Sequence, residues 1–140
     1  MVWFKWGWRG VFLASHSFLR KGKMEVYPIN FGNKSILKTE FDRGNIPLTR
    51  DITGHPLIKG ETSVDHTIPK SKGGASNLYN YSLMNPFTNN KRSNKPLKPY
   101  VDLEAFAEYI KIMLDVKTMD LDGVDYLRGW LRNFLKALKQ

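Results

Sequence analysis

At 140 residues the chain has the length of one domain, enough to bury a modest core. It contains no cysteine, which excludes disulfides and thiolate-held zinc and leaves the redox compartment open. The formal net charge of +9 points to a polyanionic partner, nucleic acid ahead of acidic phospholipid.

The first forty residues alternate aromatic with small or charged positions (Trp3, Trp6, Trp8, Phe12, Val26, Tyr27, Ile29, Phe31, Ile36, Leu37). Gly7, Gly10, Gly22, Pro28 and Gly32 punctuate them, which predicts short strands joined by turns. Lys5 and Arg9 interrupt the apolar start, so neither a signal peptide nor a membrane span is read there, and a cytoplasmic protein is expected. The three early tryptophans are core or an oligomer contact ahead of a base-stacking surface. Residues 41–60 read as loop and turn. His16 and His55 are read as solvent or turn residues.

A strand is predicted over Thr62–Ile68, with Val64 and His66 on one face and Asp65 on the other. Pro69 and the Gly73-Gly74 pair require a loop to Asn77, and Tyr79–Met84 suits a second strand. Pro86 fits the first turn of a short helix carrying Asn89, Asn90, Lys91 and Arg92. Lys95-Pro96-Leu97-Lys98-Pro99 is a stiff connector.

Two amphipathic helices end the chain. Asp102 caps the first, with Leu103, Phe106, Ile110, Met113 and Leu114 as its stripe. Leu121 or Asp122 opens the second, which sets Val124, Leu127, Leu131, Phe134, Leu135 and Leu138 on one side. Arg128, Arg132, Lys136 and Lys139 lie towards the other side or its edges, and Trp130 is read as core. Both helices are expected to cover the sheet.

Useful chemistry converges only between Val64 and Lys95. Asp65 and Asn89 both offer oxygen, which suits Mg²⁺ or Mn²⁺. His66 is a general base for water, and Asn80 can orient that base or pin the loop. Lys70, Lys72, Lys91, Arg92 and Lys95 are candidates for flanking phosphates. Between His66 and Val101 there are six cations and no acid. Asn90 competes with Asn89 as ligand and Asn77 with Asn80 in the middle role. Spacing favours Asn89, and the Leu-x-Asn context favours Asn80.

Asp65-His66-Thr-Ile-Pro-Lys-Ser-Lys-Gly73-Gly74, Leu78-Tyr-Asn80 and Asn89-Asn-Lys-Arg92 resemble the HNH endonuclease motif. Asn80 follows His66 by 14 residues and Asn89 by 23, spacings similar to that family's. The resemblance covers about a third of the chain, residues 50–94. It implies an α+β protein in which a ββα-metal finger (residues 50–95) joins an N-terminal aromatic β-rich segment (1–49) to a C-terminal helical pair (101–140). It further implies His66 as general base, Asp65 and Asn89 as ligands of one divalent metal, and Asn80 as the residue that fixes loop and base.

Many relatives flank the finger with two Cys-x-x-Cys pairs on a structural zinc. The corresponding positions here resemble Arg50 and Thr53, then Asn85 and Thr88, so no structural zinc is expected. The aromatic N-terminal strands and the C-terminal helices are the candidate braces instead.

The expectation is a metal-dependent endonuclease acting on DNA, nicking as a monomer. A non-catalytic nucleic-acid-binding module and a ribonuclease on the same finger are the alternatives. No membrane partner is expected, and the sequence indicates neither an oligomer nor a protein partner. The family resemblance suggests a phage or mobile-element origin and a bacterial cytoplasm.

Overall fold

A computed structural model describes the backbone of residues 17–20, 23–26 and 29–140 and the side chains from Ile36 onward. The expectations for Trp3, Trp6, Trp8 and His16 lie outside the described residues. The described chain is mixed helix and sheet. It begins with a hairpin of β1 (Ser17–Arg20) and β2 (Lys23–Val26), followed by α1 (Ile29–Asp42). A second antiparallel pair, β3 (Ser63–His66) and β4 (Tyr81–Met84), leads into α2 (Pro86–Arg92). Helices α3 (Leu103–Leu114) and α4 (Gly123–Leu138) close the chain.

Helix α1 corrects the strand-and-turn expectation for residues 29–42. Ile36, Leu37, Glu40 and Phe41 fall on one helical stripe, and all four are buried. That stripe packs on both strands of the second sheet, and Lys38 Nζ donates to Thr62 O just before β3 at 2.8 Å. Gly32 sits inside the helix, where it costs about 1 kcal/mol relative to alanine, and tertiary burial outweighs it. Gly44, at φ +85°, ends the helical run in the left-handed conformation that glycine tolerates.

The second sheet is shorter than expected but pairs as the alternation requires, Asp65 opposite Ser82 and His66 opposite Tyr81. All four residues of β4 are buried. Asn85 caps α2, its side chain accepting from the Phe87 and Thr88 amides, with Pro86 in the first turn.

Asp102 caps α3 as expected, and of the two residues read at the start of α4 it is Asp122 that caps it. Met113, Leu127, Phe134 and Trp130 are buried as expected, but the rest of each buried face differs from the expected stripe. Leu103 is 77 % exposed, and Leu114, Val124 and Leu135 are exposed too, while Ala105, Tyr109, Tyr126 and Ala137 are buried. Tyrosines take these places because each hydroxyl has a partner, so burying the phenol strands no polar atom. Tyr126 Oη donates to Tyr81 O at 2.6 Å, which uses its only proton. Tyr109 therefore donates to Tyr126 across 2.9 Å and accepts from Leu83 N at 3.4 Å. This one-way chain leaves β4 and returns to it, tying the strand to both helices. Trp130 Nε1 adds a 2.7 Å bond to Ser82 Oγ, and its ring stacks on Tyr109 and Phe134, each at 5.0 Å.

Candidate metal and phosphate site

Strand β3 delivers Asp65 and His66 to opposite sides of the sheet, because successive residues of a strand alternate. The loop that follows is held by one side chain. Asn80 is fully buried, its Oδ1 accepting from Ile68 N at 2.9 Å while its Nδ2 donates to Ile68 O and Ala75 O at 2.9 and 2.8 Å. Thr67 N also donates to Asn80 O at 2.8 Å. Of the two roles open to Asn80, these bonds assign the loop-pinning one. Gly73 carries φ +88°, and a Cβ on Gly74 would overlap the Ile68 carbonyl, so each glycine has its own reason.

His66 is half-buried. Its Nε2 lies 3.1 Å from Ser76 Oγ, and its ring meets Tyr81 edge-on at 5.1 Å. Ser76 was not singled out from sequence; it is a small polar residue in a loop rich in them, and only the folding back of that loop brings it to the imidazole.

Asp65 and Arg92 form a buried pair, Arg92 Nη1 donating to Asp65 Oδ2 at 2.6 Å. The guanidinium also donates to Thr67 O at 2.9 Å, His66 O at 3.3 Å and Lys95 O at 3.1 Å. Arg92 is only 1 % exposed. This corrects its expected place on a flanking phosphate: the side chain braces the end of β3 from within. Burial pushes the Asp65 carboxyl up to about 6, against the opposing pull of the Arg92 guanidinium.

Helix α2 packs against β3 and carries Asn89 half-buried and Asn90 exposed. Among the described residues no three of His, Cys, Asp and Glu form a metal-holding group. A cation here would draw on the Asp65 carboxylate, the Asn89 amide oxygen, water and phosphate. That all-oxygen set fits Mg²⁺ or Mn²⁺, which commonly keep several waters and bind through one or two protein groups. Lys70, Lys72, Lys91 and Lys95 are all exposed, as phosphate contacts require.

Of the four positions that resemble zinc-cysteine sites, Thr53 and Asn85 are linked by one carboxylate. Asp51 is fully buried. Its Oδ1 accepts from Thr53 N at 2.9 Å, Thr53 Oγ1 at 2.5 Å and His55 N at 3.1 Å, while Oδ2 accepts from Asn85 N at 2.8 Å. Arg50 turns away to bond Glu108 at 3.0 Å, and Thr88 is buried in α2. Asp51 lies between two of the expected positions and carries no sequence signal of this role, because a single Asp in a Gly/Pro-rich stretch reads as a turn residue.

No helix among the described residues is long and apolar enough to cross a membrane. Comparison with known proteins finds no matching family model, no matching curated sequence and no matching solved structure.

Proposed function

We propose that the chain is a metal-dependent endonuclease of the HNH kind that hydrolyses phosphodiester bonds in DNA, one strand at a time. The observation that carries this reading is the pairing of Asp65-His66 at the end of β3 with a following helix that packs on that strand and bears Asn89. The acid-free, lysine-bearing run around it supplies the electrostatic complement to a phosphate backbone.

In this reading His66 takes a proton from water as the water oxygen attacks phosphorus and the bond to the leaving oxygen breaks. Ser76 and the edge of Tyr81 set the plane of the imidazole. Asn80 acts indirectly, holding the loop that carries Ser76. Arg92 fixes the Asp65 carboxyl by one oxygen. A divalent cation on Asp65 and Asn89 would stabilise the charge that develops on the phosphate and the leaving oxygen. Lys70, Lys72, Lys91 and Lys95 hold flanking phosphates, and the Asp51 network takes the place of a structural zinc.

The engagement of Asp65 by Arg92 favours a second reading, a nucleic-acid-binding module that does not cut. Supercoiled plasmid and structured RNA incubated with Mg²⁺, Mn²⁺ or EDTA, wild type beside His66→Ala, separate the two. Metal-dependent nicking lost in the variant is the expected result. Intact plasmid in every lane beside a retained gel shift would favour the binding module, and cleavage of RNA alone would favour a ribonuclease.

A further inference from the structure

The loop that reaches His66 through Ser76 has a second side. There, where the loop packs on α4, Asn77 and Tyr79 line an open cleft of about 450 Å³ together with Arg128, Arg132, Asn133 and Lys136. We propose that this cleft is a docking site for the backbone phosphates of a nucleic-acid strand, a track that leads the strand to His66. The inference rests on the nucleic-acid reading of the neighbouring site and supplies a part of it that lies wholly outside the motif.

Three observations carry it. Arg128, Arg132 and Lys136 are exposed and make no hydrogen bond or ion pair among the described residues. The acid lining the cleft, Asp125, is engaged by Tyr79 Oη at 2.9 Å. Spaced four residues apart, the three cations form a row along one helix face with a step of roughly 6 Å, a length comparable to the separation of phosphates along a strand.

The loop wall is fastened to α4. Asn133 Nδ2 donates to Tyr79 O at 2.9 Å, and the Tyr79 ring lies so close over Gly129 that a Cβ there would overlap it. The wall is also continuous with the candidate site, because Ser76, between the cleft-lining Ala75 and Asn77, bonds the imidazole. A larger cleft of about 590 Å³ sets Glu108 and Asp115 against Lys111 and Lys117, an even balance, whereas the cleft on α4 sets three cations against one acid.

The test is fluorescence anisotropy of labelled single-stranded and duplex DNA with the full chain in EDTA, over a series of KCl concentrations. The triple variant Arg128→Gln, Arg132→Gln, Lys136→Gln is compared with wild type. Loss of three phosphate contacts should reduce the slope of log K against log salt by about 2 to 3, and affinity at low salt by about tenfold or more. Arg128→Lys with Arg132→Lys retains the charge and should retain the slope. An unchanged slope in the triple variant overturns the proposal. So does an equal loss in the lysine variant. The plasmid assay is read separately: binding without cleavage defeats the nuclease and leaves the cleft standing, whereas cleavage with an unchanged slope does the reverse.

Discussion

Asp51 and Asn85, thirty-four residues apart in sequence, are joined by a 2.8 Å bond from Asn85 N to Asp51 Oδ2. Through it the turn before β3 is fastened to the N-terminus of α2. The one carboxylate accepts from four donors and so joins the two segments. Asp51→Ala leaves those donors without an acceptor in a largely buried place and should cost about 3 kcal/mol or more of unfolding free energy. Urea denaturation in EDTA, which keeps a cation at Asp65 from contributing, measures it. An unchanged midpoint in Asp51→Ala would show that this carboxylate does not brace the fold.

Asn80→Ala removes the pin of the 67–80 loop and strands Ile68 N, Ile68 O and Ala75 O. The expected cost is about 3 kcal/mol, from buried groups left unpaired. Because Ser76 lies in that loop, cleavage should fall further than the unfolded fraction accounts for. Activity corrected for folded protein reads the difference; full activity per folded molecule would show that the loop does not position His66.

Tyr126→Phe tests the hydroxyl chain. The variant keeps the ring and leaves Tyr81 O unpaired beside a buried Tyr109 hydroxyl. A loss of about 1 to 3 kcal/mol is expected, without loss of DNA affinity. Burial pushes the Tyr109 phenol up to about 12 and Tyr126 well above its usual value, so both stay neutral into alkaline solution. Spectrophotometric titration of the wild type should therefore leave these two tyrosines un-ionised until the fold is lost.

What was legible in the sequence followed from local rules. Pro86 in a first turn and Asp102 before an apolar run set two helix starts, and Leu121 or Asp122 brackets a third, because these signals need only neighbours. The strand pair was legible from alternation. Helix α1 was not, since Gly32 and its aromatic neighbours read as turn and strand, and the burial of Glu40 depends on Arg43 and Asn45 at its carboxylate. Arg92 was misplaced for a related reason. In sequence it stands beside Lys91 among exposed polar residues, and only the helix phase turns it inward while Lys91 faces water. Ser76 and the cleft against α4 depend on contacts between distant segments, which a linear pattern does not encode.

The Asp65 carboxyl, raised from 3.8 to about 6 by burial, sets a pH dependence with a definite sign. A raised acid binds its proton more tightly in the folded chain than in the unfolded one. Its contribution to stability is therefore complete below the unfolded value and is lost as pH rises through about 6. In EDTA the wild type should lose stability between pH 4 and 7 relative to Asp65→Asn, whose own curve lacks that step. The absolute stabilities of the two differ because Arg92 loses its partner, so the slope is the quantity to read. Added Mn²⁺ should reverse the trend in wild type alone, because a cation requires the ionised carboxylate and binds the folded state. Denaturation midpoints collected across that pH range, with and without Mn²⁺, decide it. Parallel curves for the two proteins would mean that Asp65 is already ionised at pH 4 by its pairing with Arg92, and an Mn²⁺ response retained in Asp65→Asn would remove Asp65 from the metal site.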